Sequence, residues 1–136
     1  MRAEMLSRVP LFSSLTQRQL DDLAREAELV SAPAGALLAT QGRPGEELFV
    51  LLSGSAVVRR NNRRIAQLGP GDFFGEMSLI DGGLRSASVG LNEPADVLVL
   101  RRSQFRRLLA ATPRLAEQLL ITMAHRLREA DQKLIS

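Results

Sequence analysis

Between about Leu29 and Arg102 the apolar residues of this chain come only in short runs, ALLAT, ELFVLLSG, SAVVRR, RIAQLG, RSASVGL and ADVLVLR, broken by Gly, Pro and polar residues. Runs of that length and spacing suit β-strands joined by tight turns, and they predict a small antiparallel sandwich or roll. Asn61 and Asn62 separate VVRR from RRIAQL. Asn tolerates the left-handed backbone that a two-residue hairpin turn requires, so the two flanking strands are expected to pair.

The flanks carry a different period. In TQRQLDDLAREAELV, Thr16 and Gln19 stand at capping-box spacing, and Leu20, Leu23, Ala24 and Ala27 recur on one helical face. Downstream, Ser103 is placed to cap a short helix over QFRRLLAA, and Pro113 to start a long one. Along that last helix Ala116, Leu120, Met123, Leu127, Ala130 and Leu134 form a heptad seam, with Leu115 and Leu119 to one side. One stripe can pack on the parent domain and the other can meet a second copy, or both can pack at home.

A length of 136 residues with 45% hydrophobic content suits one domain with one sizeable core. The chain has no Cys, which excludes disulfides and thiolate metal sites, and its N-terminus lacks the apolar run of a signal peptide. No apolar stretch approaches the ~18 residues of a membrane helix, so a cytoplasmic location is expected. The formal net charge is only +3, and with one His and no Tyr little titrates near neutrality, so the high isoelectric point is no argument for nucleic acid. The basic clusters at Arg59 to Arg64 and Arg101 to Arg107 are read as solvated faces.

Chemistry concentrates in GPGDFFGEMSLIDGGLRSASV, Gly69 to Val89. If RSASVGL is a strand, the period of two puts Arg85 on the face of Ala87, Val89 and Leu91, which is the inward one. An inward guanidinium needs an anion, because leaving it unpaired in a low-dielectric interior costs several kcal/mol. Upstream, GEMSLI reads as a single helical turn whose first amides have no intrahelical acceptor, and Gly75 lets an anion approach the backbone. Gly75 to Ser78 and Arg85 are thereby placed to close on one phosphate from two sides, with the Glu76 carboxylate free to accept from a sugar hydroxyl. Spacing alone also permits a plain structural ion pair between Glu76 and Arg85.

The whole stretch FGEMSLIDGGLRSASV resembles the phosphate-binding cassette of the cyclic-nucleotide-binding domain family, which includes bacterial transcription regulators, kinase regulatory subunits and cation channels. PLF at Pro10 to Phe12, GRPGEELFVLLSGSAVV and the closing helix pair follow the same family order. The resemblance implies an α+β fold, an antiparallel β-roll of the double-stranded jelly-roll type. A helical lead would cover 1–28, the roll 29–102 and two C-terminal helices 103–134, in a single domain spanning 1–136. It implies cAMP as ligand, or cGMP, bound through Phe74, Gly75, Glu76, Met77, Ser78, Arg85, Ser86 and Ala87. Glu76 would take the ribose 2′-hydroxyl and Arg85 the cyclic phosphate, with the amides of Met77, Ser78, Ser86 and Ala87 completing the cradle. Val58, Ile65 and the last helix near Arg126, Ala130 or Asp131 would meet the base. Ser86 stands where cGMP-selective members tend to carry Thr, which inclines the reading to cAMP. Leu84 stands where many relatives carry Pro, and Asp81 adds a negative charge to the loop.

Enzymatic alternatives lack parts. A metal-dependent enzyme of the double-sheet class needs several His ligands from neighbouring strands, and the only His is His125, on the last helix and expected at the surface. Nucleophilic catalysis has no Cys and no strand-borne Ser with a His base. A non-enzymatic sensor is expected, with no resident cofactor. No helix-turn-helix follows within the sequence, so DNA reading is not expected to reside in it. The chain is expected to be free-standing, or the sensory piece of a larger regulator, channel or enzyme, with a ligand-free interaction module as the alternative.

Overall fold

The computed structural model describes the backbone of residues 3–135 and the side chains of 3–129. Helix α1 (Ala3–Ser7), a 3-10 turn (Pro10–Phe12) and α2 (Gln17–Glu26) lead into eight strands. These are β1 (Glu28–Ala32), β2 (Leu37–Ala39), β3 (Glu47–Leu51), β4 (Ala56–Arg60), β5 (Arg63–Leu68), β6 (Phe73–Phe74), β7 (Ser88–Leu91) and β8 (Ala95–Arg101). Helix α3 (Glu76–Asp81) lies between β6 and β7, and α4 (Arg102–Ala111) and α5 (Pro113–Ile135) close the chain. The strands form two antiparallel four-stranded sheets, β1-β8-β3-β6 and β2-β7-β4-β5, facing each other as a β-roll.

The near-continuous apolar character of ELFVL and ADVLVLR follows from burial on both faces. Alternation sends Leu48, Val50, Leu98 and Leu100 outward into a core shared with the helices, around Phe12, Leu20, Leu23, Phe105, Leu115 and Leu119. It sends Phe49, Leu51 and Val97 inward between the sheets, against Ala56, Phe74, Val89 and Leu91. The chain thus has two hydrophobic clusters, one under the helices and one inside the roll. The second is the wall of any cavity between the sheets.

Several local expectations hold in the structure. Thr16 Oγ1 accepts from the Gln19 amide at 3.2 Å while the Gln19 side chain accepts from the Thr16 amide at 2.9 Å, a complete capping box. Asn61 and Asn62 have φ of 53° and 65°, as the paired β4 and β5 strands require of a two-residue turn. Pro113 opens α5.

Others are corrected. Ser103 does not cap α4. The cap is Arg101, whose amide donates to Gln104 Oε1 at 2.9 Å, because the helix starts at Arg102 directly after β8 and leaves no turn between them. RSASVGL is not a strand throughout: pairing begins at Ser88, since Arg85 to Ala87 lie in an irregular segment joined to the 42–44 loop. The cluster at Arg101 to Arg107 is not simply solvated. Arg102 and Arg106 donate to carbonyl oxygens of α3, and Arg107 reaches Glu26 at 3.5 Å. Within the expected helical lead and roll, α1, β1 and the two-residue β6 were not delimited from sequence.

Candidate functional site

Gly75 turns the chain from β6 into α3 with φ of 94°, a left-handed conformation that a side chain would oppose. A Cβ there would also stand 2.5 Å from Arg85 Nη1 and 2.7 Å from the Glu47 carbonyl oxygen. Glycine at 75 therefore answers to both backbone strain and the closeness of Arg85. Helix α3 then presents Glu76 and Ser78 inward and Met77 to solvent. Gly82 closes it at φ 72°, and its carbonyl end is held to α4 by Arg102 Nη2 donating to Ser78 O at 2.9 Å.

Arg85 is only 7% exposed. Its own amide and carbonyl are clamped by the preceding loop, Arg85 N donating to Arg43 O at 2.8 Å and Gly42 N to Arg85 O at 2.9 Å. Its guanidinium donates to Gly75 O at 3.1 Å and Glu47 O at 2.8 Å, and lies 5.6 Å from the Phe49 ring centre. Two carbonyls and a ring face are dipoles and carry no net charge, so the cation is buried without a salt bridge among the described residues. Burial pushes its pKa down, against the opposing fields of Glu47, Glu76 and Glu46. A guanidinium stays protonated regardless, and the geometry leaves it ready for an anion.

Gly45, which sequence reading did not single out, makes room for this side chain. A Cβ on it would overlap Arg85 Nε and Cζ, and its φ lies outside the left-handed range, so crowding alone explains the residue. No local pattern in GRPGEEL could reveal this, because the crowding partner lies forty positions away.

Glu76 is 5% exposed and its partner is Arg126 of α5, which donates to Glu76 Oε1 at 2.5 Å. Arg126 also donates to Phe73 O at 3.1 Å and stacks on the Phe73 ring at 4.7 Å. The simple Glu76–Arg85 ion pair that spacing allowed is therefore absent: each charge has its own partners. Arg126 lies against the carboxylate.

The remaining site residues divide. Phe74 is buried and stacks on Phe49 at 4.9 Å between ring centres. Ser86 is exposed with its carbonyl accepting from Arg60 Nε at 3.0 Å, and Ala87 is half-buried. Val58 lines the roll interior, whereas Ile65 is 38% exposed and sits at a bulge, unpaired between Ala66 and Arg64. Ala130 and Asp131, like Leu134 of the seam, lie outside the described side chains. A surface groove lined by Glu28, Glu46, Glu47, Arg101, Arg102 and Arg106 contains none of the 74–87 residues.

Residues 29–112 match the family model described as a cyclic nucleotide-binding domain. The chain belongs to the cyclic nucleotide-binding domain family. It is 37% identical over 130 residues to the cyclic AMP receptor protein of Thermus thermophilus, covering 92% of this chain and 60% of that one. It is also 37% identical over 114 residues to a cyclic nucleotide-gated potassium channel of Mesorhizobium japonicum, covering 84% of this chain and 32% of the channel. The chain thus spans less than two thirds of either relative. Among solved structures, the Thermus thermophilus catabolite activator protein superposes with a TM-score of 0.83 at 37% identity, over 92% of this chain and 61% of that one. The same β-roll recurs, at a TM-score of 0.85 and 23% identity, in the regulatory subunit of a cAMP-independent protein kinase A of Trypanosoma brucei. The fold alone therefore does not name a ligand. No helix among the described residues is long and apolar enough to cross a membrane.

Proposed function

We propose that this domain is a non-catalytic sensor that binds a cyclic nucleotide, cAMP in preference to cGMP, in the 74–87 segment and passes the binding to α5. The single observation that carries this reading is Arg85: a guanidinium buried to 7% exposure, aimed by two carbonyls and left without a counter-ion. A cyclic phosphodiester supplies one negative charge on two exocyclic oxygens, which suits the fork of a guanidinium. The early amides of α3, at Met77 and Ser78, meet the same group from the other side.

Glu76 accepts the ribose 2′-hydroxyl. A carboxylate has about four acceptor positions, so it holds the hydroxyl and Arg126 at once. That shared carboxylate joins ligand to helix. The front of α5 is anchored by buried Leu115 and Leu119 and by Gln118 bonded to Ser13 and Ser14, which confines movement to the segment after Leu119. The proposed movement of α5 therefore begins after Leu119 rather than at Pro113. A ligand biases such a segment only by touching it differently in two states, and Arg126 is the residue placed to do so.

The test is a titration with cAMP and its 2′-deoxy analogue against wild type and Glu76→Ala. The reading expects Glu76→Ala to weaken cAMP more than 2′-deoxy-cAMP. Equal losses for both remove Glu76 from the ribose role.

A further inference from the structure

The β4–β5 hairpin is built with like charges facing each other. Its register sets Arg59 opposite Arg64 and Arg60 opposite Arg63, two Arg–Arg pairs on adjacent rungs. Directly opposed like charges destabilise an antiparallel pair. From Leu48 to Gly71 the sequence contains no acidic residue, and none of the four arginines forms a salt bridge among the described residues. Arg60 is tied back to the Ser86 carbonyl and Arg64 to the Gln67 side chain. The hairpin tip is fixed rather than loose: Gln41 Nε2 donates to Asn61 Oδ1 and the Asn61 amide to Gln41 Oε1, each at 2.9 Å. A rigid hairpin that carries unneutralised repulsion is a preformed receptor for negative charge.

Beside it lies β5, the terminal strand of its sheet, paired with β4 on one side only. Its free edge offers main-chain groups for another strand. We propose that this edge docks an extended acidic peptide segment of a partner protein, which pairs with β5 and sets its carboxylates against Arg59, Arg63 and Arg64. Other polyanions fit less well. The chain has no Tyr or Trp and all five Phe are buried, so nothing offers a stacking surface to nucleic-acid bases. The tip residues are Asn61 and Asn62, so nothing apolar leads into a bilayer. The exposed Ile65, at the bulge, gives a docked strand one apolar contact.

Fluorescence anisotropy with a fluorescein-labelled peptide of Glu-Glu-Val repeats, which carries carboxylates on both faces of a strand, tests this against wild type and the Arg59→Gln, Arg63→Gln, Arg64→Gln triple variant. Arg60 is left in place because it touches the 74–87 segment. Binding should weaken about tenfold or more in the triple variant and in high salt, and likewise when alternate peptide amides are N-methylated to block strand pairing. The triple variant should also melt about 1–3 °C higher at low salt, a gain that fades as salt rises. Equal peptide binding by wild type and variant overturns the proposal. So does equal binding of the N-methylated peptide, tighter binding of oligo(dT) or phosphatidylserine vesicles, or a melting temperature that does not rise.

Discussion

Arg85 concentrates the argument at the residue scale. Its inward placement was legible from the period of two in RSASVGL even though pairing begins only at Ser88, because the burial parity of Val89 and Leu91 continues back through the irregular segment. The partners were not legible. They are backbone carbonyls at Gly75 and Glu47, and a carbonyl leaves no mark in a sequence. Gly45 gives a test of the same geometry without removing the guanidinium. Gly45→Ala should displace Arg85 and lower cAMP affinity, while in an Arg85→Ala background the same change should matter little, since nothing is left to crowd. Calorimetric affinities for the four proteins of that cycle check the coupling, expected at about 0.5–3 kcal/mol for residues in contact. Additive losses would show that Gly45 acts through something other than Arg85.

At the scale of elements, what could be read was what carries a strong local pattern: the capped α2, the Asn-Asn hairpin, α3 between its glycines and the long α5. What could not be read was short or exposed. Strand β6 has two residues, too few for any period, and β1 is mostly exposed, held by its register with β8 rather than by its own apolar face. The Glu76 partner of Arg126 could not be read either, because it lies fifty positions upstream on a different element. That contact yields a prediction for α5. On adding cAMP, hydrogen exchange should slow across 76–87 and in α5 beyond Leu119, with little change in β3. Arg126→Ala should retain the first effect and lose the second. Protection that persists in α5 of the variant would separate the helix response from the Glu76–Arg126 link.

For the whole molecule, the two stripes of α5 behave differently. Leu115 and Leu119 are buried in the helix-side core, whereas Leu120 is 68% and Leu127 64% exposed, with Ala116 and Met123 half-buried between them. We propose that this second stripe pairs two copies. Sedimentation at micromolar concentration should find a dimer that Leu120→Asp with Leu127→Asp dissociates, and a wild-type monomer there would refute it. The charged site and the pairing stripe share one helix, so ligand and assembly would be linked through α5. All of this depends on the buried cation meeting a cyclic phosphate. Calorimetry of cAMP against wild type and Arg85→Ala measures that directly. Wild type should bind saturably and the variant should lose about 2–5 kcal/mol, from removal of a charged contact in a desolvated site. Absence of binding by wild type, or undiminished binding by Arg85→Ala, would contradict it.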